Sequence, residues 1–203
     1  MIPYPLRALG LLTLLHANVA LAATWPLPQE LNDTNTSVRF NVDSTWHLVE
    51  GSTSHIRGKI WLADPSDSRS IRADVHIPIA FFDTDSSSRD ERMREVMHAD
   101  RFPEVRFLLS DAAEICDPSS LEENAASSET VCQGTLHGTV EISGVRRPLA
   151  LHTTVARSES GYVVNGTTSL RWDQFSVEDP SILIARLDKL VNIEVSVSLG
   201  KLK

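Results

Sequence analysis

Arg89 and Asp90 are the adjacent residues in this sequence whose types come nearest to acid–base chemistry. A carboxylate beside a guanidinium can take part in proton transfer when a cleft perturbs the pKa values of both groups. The same pair also suits the first turn of a helix, where the helix dipole favours the acidic side chain and the arginine can hold a loop. We expect this structural role, and we assign no catalytic residue.

The six histidines after residue 22 show no spacing typical of a metal or haem site. They stand at positions 47, 55, 76, 98, 137 and 152, without an H-x-H or H-E-x-x-H pattern. The sequence also has no G-x-S-x-G elbow, no glycine-rich phosphate loop and no paired Cys/His nucleophile. We therefore predict that the protein is not an enzyme, that it has no metal site, and that it needs no cofactor beyond a bound ligand.

Cys116 and Cys132 are the two cysteines of the chain. In an oxidising compartment an isolated pair most simply forms one disulfide bond. The intervening segment is polar and acidic, as expected of a surface loop. A redox-active role is the alternative, but the pair is not C-x-x-C and has no basic neighbours to lower a thiol pKa. We predict a structural Cys116–Cys132 bridge.

The N-terminus has the three parts of an export signal. Arg7 supplies a positive charge, residues 8–15 form an apolar core, and residues 20–22 (A-L-A) match a small-x-small cleavage site. The apolar run is too short for a transmembrane helix, which needs about 20 residues. We expect residues 1–22 to be a signal peptide, residues 23–35 a proline-rich leader and residues 36–203 one folded domain, with the protein secreted to the periplasm.

The charge balance excludes one class of partner. The chain has 19 basic and 27 acidic residues and a formal net charge of −8. An acidic protein is repelled by phosphate backbones and by anionic bilayers. We expect no nucleic-acid partner.

Strands with one apolar face account for most of the sequence. Clear examples of period-2 alternation are residues 38–42, 71–77, 105–109 and 191–199, in which every second residue is apolar. We count about eight strands joined by short turns, without a βαβ rhythm. Eight antiparallel strands can close into a barrel that holds one small ligand, and a two-sheet sandwich is the alternative.

Residues 87–107 form the long interruption of this β pattern. Ser88 and Glu91 have the spacing of a capping box, and Met93, Val96 and Met97 recur at helical spacing. A helix over residues 88–98 would lay two methionines over an apolar surface. The hypothesis is a lid over a barrel; the alternative is a helix that only plugs one end of a solid core.

The residues around this helix resemble the signature of the YceI-like family. Asp83-Thr84, Arg89-Asp90-x-x-Met93 and Phe102-Pro103-x-Val105-x-Phe107 follow the order of that signature. The glycine-containing hairpin at residues 134–148 and the closing segment at residues 175–193 agree with it as well. The resemblance spans about residues 36–199. The segment at residues 96–103 and the cysteine loop depart from the family pattern.

The resemblance implies an all-β fold, an extended eight-stranded antiparallel lipocalin-like barrel with a short helical insertion. It also implies a periplasmic carrier that binds a polyisoprenoid or an isoprenoid quinone in the barrel interior. An isoprenoid tail makes no hydrogen bonds, and each buried methylene contributes about 0.8 kcal/mol. The predicted lining residues are Phe40, Phe82 (or its neighbour Phe81), Met93, Met97, Phe107, Leu136, Phe175 and Leu183.

Two alternatives stay open at this point. The inward side chains could meet and leave no cavity, as in small filled barrels. The protein would then be an interaction or stress-response barrel that docks on a periplasmic or membrane redox protein without lipid cargo. The sequence does not distinguish a monomer from a homodimer.

Overall fold

The computed structural model describes residues 27–64, 67–114, 130–158, 161–181 and 186–200. The predicted signal peptide, Cys116 and Leu183 lie outside these residues, so nothing is concluded about their structure. Within the described residues, the dominant element is a single antiparallel β-sheet.

The described residues form ten strands and one α-helix. The strands are β1 (Gln29–Leu31), β2 (Thr36–Ser44), β3 (Leu48–Thr53), β4 (Arg57–Leu62), β5 (Ile71–Pro78), β6 (Glu104–Glu114), β7 (Thr130–Ile142), β8 (Val145–Ser158), β9 (Gly161–Arg171) and β10 (Leu187–Leu199), and the helix is α1 (Ser87–Val96). The sheet order is β1-β4-β5-β6-β7-β8-β9-β10-β2-β3, with all pairs antiparallel.

The pairing of β10 with β2 joins the two ends of the chain. Val38 pairs with Val195 and Phe40 pairs with Ile193, so the alternating apolar residues of both strands share a face. The side chains of that face, from all ten strands, surround one cavity. The sheet therefore curls into the predicted lipocalin-like barrel, and the sandwich alternative is wrong.

The strand count differs from the predicted eight. Strand β1 is the clearest addition, because it lies within residues 23–35, which we had described only as a leader. It has three residues and follows Pro28, so no alternation can develop in its sequence. Its pairing with β4, with Leu31 opposite Gly58, is what makes it a strand.

Helix α1 begins one residue earlier than predicted and ends at Val96, followed by a turn over residues 97–101. The capping-box prediction is wrong: the N-cap residue is Ser86, and its side chain makes no capping hydrogen bond. The predicted apolar stripe is present, since Val96 is 3 % exposed and both Met93 and Met97 face the barrel interior.

The tight turn between β7 and β8 holds the C-terminal end of the helix. Ser143 and Gly144 have φ of 48° and 76°, the left-handed values that a two-residue type I′ hairpin requires. The Ser143 Oγ donates a hydrogen bond of 2.8 Å to the Met97 carbonyl. The Phe102 ring packs on Gly144, where a Cβ would lie 2.7 Å from its Cε1 atom. The turn and the end of α1 therefore form one packed unit.

Two clusters of buried residues lie in the wall near the two ends of the barrel. One lies beneath α1 and contains Ile79, Val105, Val140, Ile142 and Phe175. The other lies at the opposite end and contains Val155, Tyr162 and Leu199. Val105, Val140 and Ile142 of the first cluster and Leu199 of the second also line the cavity, which therefore adjoins both clusters.

Candidate functional site

The barrel encloses a cavity of about 700 Å³. This volume falls within the range of about 300–1,000 Å³ that is typical of ligand sites. Its walls are mostly aliphatic and aromatic, because the inner positions of period-2 strands carry Val, Ile, Leu and Phe. The alternative of a solid core with the side chains in mutual contact therefore does not describe this barrel.

The polar groups in the deeper walls are satisfied by the protein itself. The Thr36 hydroxyl donates to the Asn32 carbonyl at 2.7 Å, and the Thr168 hydroxyl donates to the Ala150 carbonyl at 2.8 Å. The Trp172 Nε1 donates to the Asp188 carbonyl at 2.7 Å. These groups are turned to backbone partners, so the deep cavity offers a ligand mainly van der Waals contact.

The cavity reaches solvent at the end covered by α1. Among its lining residues, the exposed ones are Trp46, His47, Ser88, Arg92 and Arg186, which we call the mouth. Trp46 is 66 % exposed. The backbone connects the elements of the mouth: Thr45 N donates to the Arg186 carbonyl at 2.9 Å, and Glu178 N donates to the Val96 carbonyl at 3.1 Å.

The N-terminal half of α1 is held by a polar strut formed by Thr84, Arg89 and Asp90. The Asp90 Oδ1 accepts hydrogen bonds from Thr84 N at 3.0 Å and from Thr84 Oγ1 at 2.6 Å. Arg89 donates from Nε to Thr84 Oγ1 at 2.8 Å and from Nη2 to the Thr84 carbonyl. Thr84 itself is only 4 % exposed. This geometry supports the loop-holding role that we expected for Arg89 and Asp90.

A β-bridge extends this strut to the sheet. Ser52 on β3 exchanges two backbone hydrogen bonds with Asp83, of 2.8 and 3.0 Å. Because β3 is an edge strand of the sheet, the bridge connects an otherwise unpaired edge to the segment that precedes α1. The helix is therefore tied to the sheet at both of its ends.

The structure brings most of the predicted site residues together around the cavity. Six of them contribute to its lining: Phe40, Phe82, Met93, Met97, Phe107 and Leu136. The choice between Phe81 and Phe82 is also clear from their positions. Phe82 packs against Phe40 with ring centroids 5.5 Å apart, whereas Phe81 is 50 % exposed and stacks on His55. Ligand contact by these residues stays a prediction.

Phe175 lies outside the lining, contrary to our expectation. It is 2 % exposed and belongs to the packed cluster beneath α1. It follows the short 3₁₀ turn Trp172–Gln174, and its amide donates to the Trp172 carbonyl. The turn directs its ring into the packed end of the barrel, while the neighbouring Trp172 lines the cavity.

Sequence reasoning missed the polar residues of the mouth and the neighbouring Arg89. Arg89 was interpreted only as a structural residue, and Arg92 only as part of the charged faces of the helix. Trp46 and Arg186 stand next to strand ends, where periodicity carries no signal. The spacing of Arg89, Arg92, Met93 and Val96 places all four on one helical face. This pattern could have identified the two arginines as residues that face the same side as the apolar stripe.

The histidine with the densest polar surroundings lies on the outer face of the sheet. His76 on β5 contacts Asp74 at 3.1 Å through Nε2 and Glu104 at 2.6 Å through Nδ1. Arg106 donates two hydrogen bonds to Asp74, and these hold the pKa of that carboxyl below its usual value of 3.8. The cluster is an ion-pair network that connects β5 to β6.

Neither a metal-binding cluster nor a membrane-spanning helix is found among the described residues. In this part of the chain, no group of three or more His, Cys, Asp or Glu side chains is arranged to hold a metal ion. The same residues contain no helix of the length and apolarity that crossing a bilayer requires.

A protein-family model that matches most of the chain shows the family to which it belongs. Residues 30–199 match the model of the YceI-like domain. The chain belongs to the YceI-like family. No curated protein sequence matches this YceI-like chain significantly.

Solved structures similar to this YceI-like chain share its fold at low sequence identity. Burkholderia cenocepacia BcnA aligns with a TM-score of 0.64 and 17% identity, over 82% of this chain and 98% of its own. A polyisoprenoid binding domain from Saccharophagus degradans aligns with a TM-score of 0.62 and 14% identity, over 84% and 95%. The Campylobacter jejuni YCEI protein aligns with a TM-score of 0.57 and 18% identity, over 75% and 85%.

Proposed function

We propose that this protein binds a long apolar lipid in its barrel and carries or shelters it in the periplasm without transforming it. The apolar cavity inside the barrel is the observation that carries the proposal. Membership of the YceI-like family supports it. The likeness to a domain described as polyisoprenoid binding agrees with it as well.

The size of the cavity constrains the lipid. Benzene occupies an engineered cavity of about 150 Å³, which is roughly 25 Å³ per carbon atom. At that ratio, a cavity of about 700 Å³ accommodates on the order of 28 carbon atoms, or five to six five-carbon units. A polyprenyl chain or the tail of an isoprenoid quinone fits this description.

The shape of the lining suits such a chain. Met93 and Met97 reach the cavity from α1, and unbranched methionines adapt to a floppy ligand. Phe40, Phe82 and Phe107 supply large apolar surfaces on the walls. The proposal therefore assigns the six lining residues from the prediction to contacts with the lipid chain. Leu183 stays a predicted contact outside the described residues.

The proposed location depends on the N-terminal sequence. The signal-peptide pattern in residues 1–22 directs the chain across the inner membrane, and the predicted Cys116–Cys132 bridge suits the oxidising space beyond it. We infer that the lipid is taken up from, or delivered to, a membrane that faces this compartment. The docking of a redox partner stays a prediction, since none of the described contacts defines a surface for it.

Native mass spectrometry of the protein purified from bacterial cells tests the proposal. The expected result is a mass increment that organic extraction removes and chromatography identifies as an isoprenoid lipid. The delipidated protein should then bind added menaquinone or geranylgeraniol. Protein that is folded, lipid-free as purified and indifferent to both added lipids would overturn the proposal.

A further inference from the structure

We propose that the mouth of the cavity is a subsite for an anionic headgroup, so that the lipid is an amphiphile whose apolar chain ends in a phosphate or a carboxylate. This inference rests on the proposed function. The inference extends the proposed function by assigning a negative charge to the exposed end of the ligand.

The charges of the lining have one sign and lie at one end. Arg89, Arg92 and Arg186 line the cavity, and no Asp or Glu is among the lining residues of the described chain. Arg89 and Arg92 lie three residues apart on the same face of α1. Arg186 immediately precedes β10, next to the β2–β3 turn that contains Trp46. In a chain with a net charge of −8, this end of the cavity is a local concentration of positive charge.

The arginines retain donors for a ligand. In the described contacts, Arg89 uses Nε and Nη2 on Thr84, which fixes its guanidinium, and none of these contacts uses Nη1. Arg92 donates from Nη1 to Glu95 at 3.1 Å in an exposed ion pair, and such pairs contribute little. The guanidinium fork matches the oxygens of a phosphate or a carboxylate in a bidentate geometry.

The acidic side chains of the neighbourhood do not line the cavity. The Asp90 Oδ1 accepts both of its hydrogen bonds from Thr84, on the loop side of the strut. Glu95 is exposed beside Arg92, and Asp179 is close enough to Arg186 to interact with it electrostatically, but neither carboxylate contributes to the lining. Two arginines three residues apart on one helix face repel each other. An anion bound between them would relieve this repulsion, whereas a neutral alcohol or a quinone ring would not.

The remaining groups of the mouth also suit an anion. Ser86, the N-cap residue of α1, and Ser88, in its first turn, both line the cavity, and their hydroxyl groups lie 3.3 Å apart. The positive end of the helix dipole lies at the same place and adds to the field of the arginines. The ligand that fits is therefore apolar along the barrel and negatively charged at the helix.

Binding of chain-matched lipids to the full-length delipidated protein tests the inference. The first pair is geranylgeranyl phosphate and geranylgeraniol; the second is a C20 fatty acid and the C20 alcohol, so that phosphate and carboxylate are distinguished. By isothermal titration at low salt, we expect at least one anionic member to bind about tenfold more tightly than its alcohol, as charge-assisted hydrogen bonds do. The preference should shrink as ionic strength rises.

A double variant, Arg92→Gln with Arg186→Gln, identifies the groups responsible. Both side chains are exposed, so the variant should fold, whereas Arg89 is left intact because it supports Thr84. The anion preference should fall to about twofold or less, while the affinity for the alcohols is unchanged. Arg94→Gln is the matched control, since it removes an arginine from the same helix that does not line the cavity.

Each outcome has a distinct meaning. Equal affinity for the anions and their alcohols, or an unchanged preference in the double variant, would overturn the headgroup subsite and leave the proposed lipid binding intact. Failure of all four lipids to bind would count against the proposed function itself. A preference that is lost in the double variant and kept in the control supports the subsite.

Discussion

The Phe40 ring occupies the space that a side chain at Gly51 would need. The two residues are cross-strand partners on β2 and β3, and a Cβ at position 51 would lie 2.3 Å from the Phe40 Cζ. Because Gly51 lacks that atom, the ring lies close to the β3 backbone while its other edge contacts Phe82. A similar relationship exists between Phe107 and Gly138, where the Cβ would lie 2.6 Å from the ring. Because both glycines lack a side chain, the rings of Phe40 and Phe107 lie close to the backbone of the barrel wall.

Gly51→Ala should reduce the room available to a lipid. The new methyl group displaces the Phe40 ring towards the cavity, and we expect weaker binding of a C20 prenyl lipid together with a loss of about 1–3 kcal/mol in unfolding free energy. Titration calorimetry and denaturant unfolding measure the two effects. Gly200→Ala is the control, because nothing lies within 4 Å of a Cβ there. Unchanged affinity in a folded Gly51→Ala protein would contradict this account of the ring.

Ile193→Trp distinguishes a hollow barrel from a filled one. Ile193 lies on β10 opposite Phe40 and lines the cavity. A larger side chain at this position should abolish lipid binding. In a hollow barrel it should cost less than about 1 kcal/mol of stability, whereas overpacking a filled core costs about 1–3 kcal/mol. Glu194→Trp, on the outer face of the same strand, should leave binding intact. A strongly destabilised Ile193→Trp protein would indicate that the void is too small for a ligand.

Asp90→Ala should loosen the helix over the mouth. The change removes the acceptor for Thr84 N and Oγ1, both of which are buried beneath the strut. We expect a loss of about 1–3 kcal/mol. Faster hydrogen exchange in residues 84–96 and faster release of bound lipid should accompany it. Glu91→Ala alters an exposed acidic residue of the same helix and serves as the control. Equal exchange rates in the two variants would argue against a strut at Asp90.

Asp74→Asn should make part of the acid sensitivity of the fold disappear. The two hydrogen bonds from Arg106 lower the pKa of Asp74 in the folded state, so the ion pair contributes stability above the ordinary pKa of 3.8. This contribution is lost as the pH falls through the lowered pKa of the folded protein. We expect the variant to be less stable by about 0.5–1 kcal/mol near pH 7, because the pair is partly exposed.

Denaturant unfolding from pH 7 to pH 2 measures this effect. The difference between wild type and Asp74→Asn should be constant at neutral pH and approach zero below the lowered pKa. Asp43→Asn, an exposed position on β2, controls for the change of residue type. A difference that grows as the pH falls would have the wrong sign for a lowered carboxyl pKa and would refute the assignment.

The sequence by itself determined which side chains point into the barrel. Period-2 alternation is a local property, because successive side chains of a strand point to opposite faces whatever the strand pairs with. The inner positions of β2, β5 and β10 could therefore be predicted from residues such as Val38, Ala73 and Val195, and each of these lines the cavity. The sequence pattern also predicted that a helix carrying Met93 and Met97 interrupts the strands.

Only the tertiary structure decided that these side chains surround a void and that its mouth is cationic. A cavity depends on sheet curvature and on rings that pack against distant glycines, as Phe40 does on Gly51, and neither is encoded in a local pattern. Phe175 was misassigned because a short turn, and no periodicity, sets its direction. Arg92 and Arg186 are far apart in sequence, and they share one mouth because β10 pairs with β2 and α1 spans the end of the barrel.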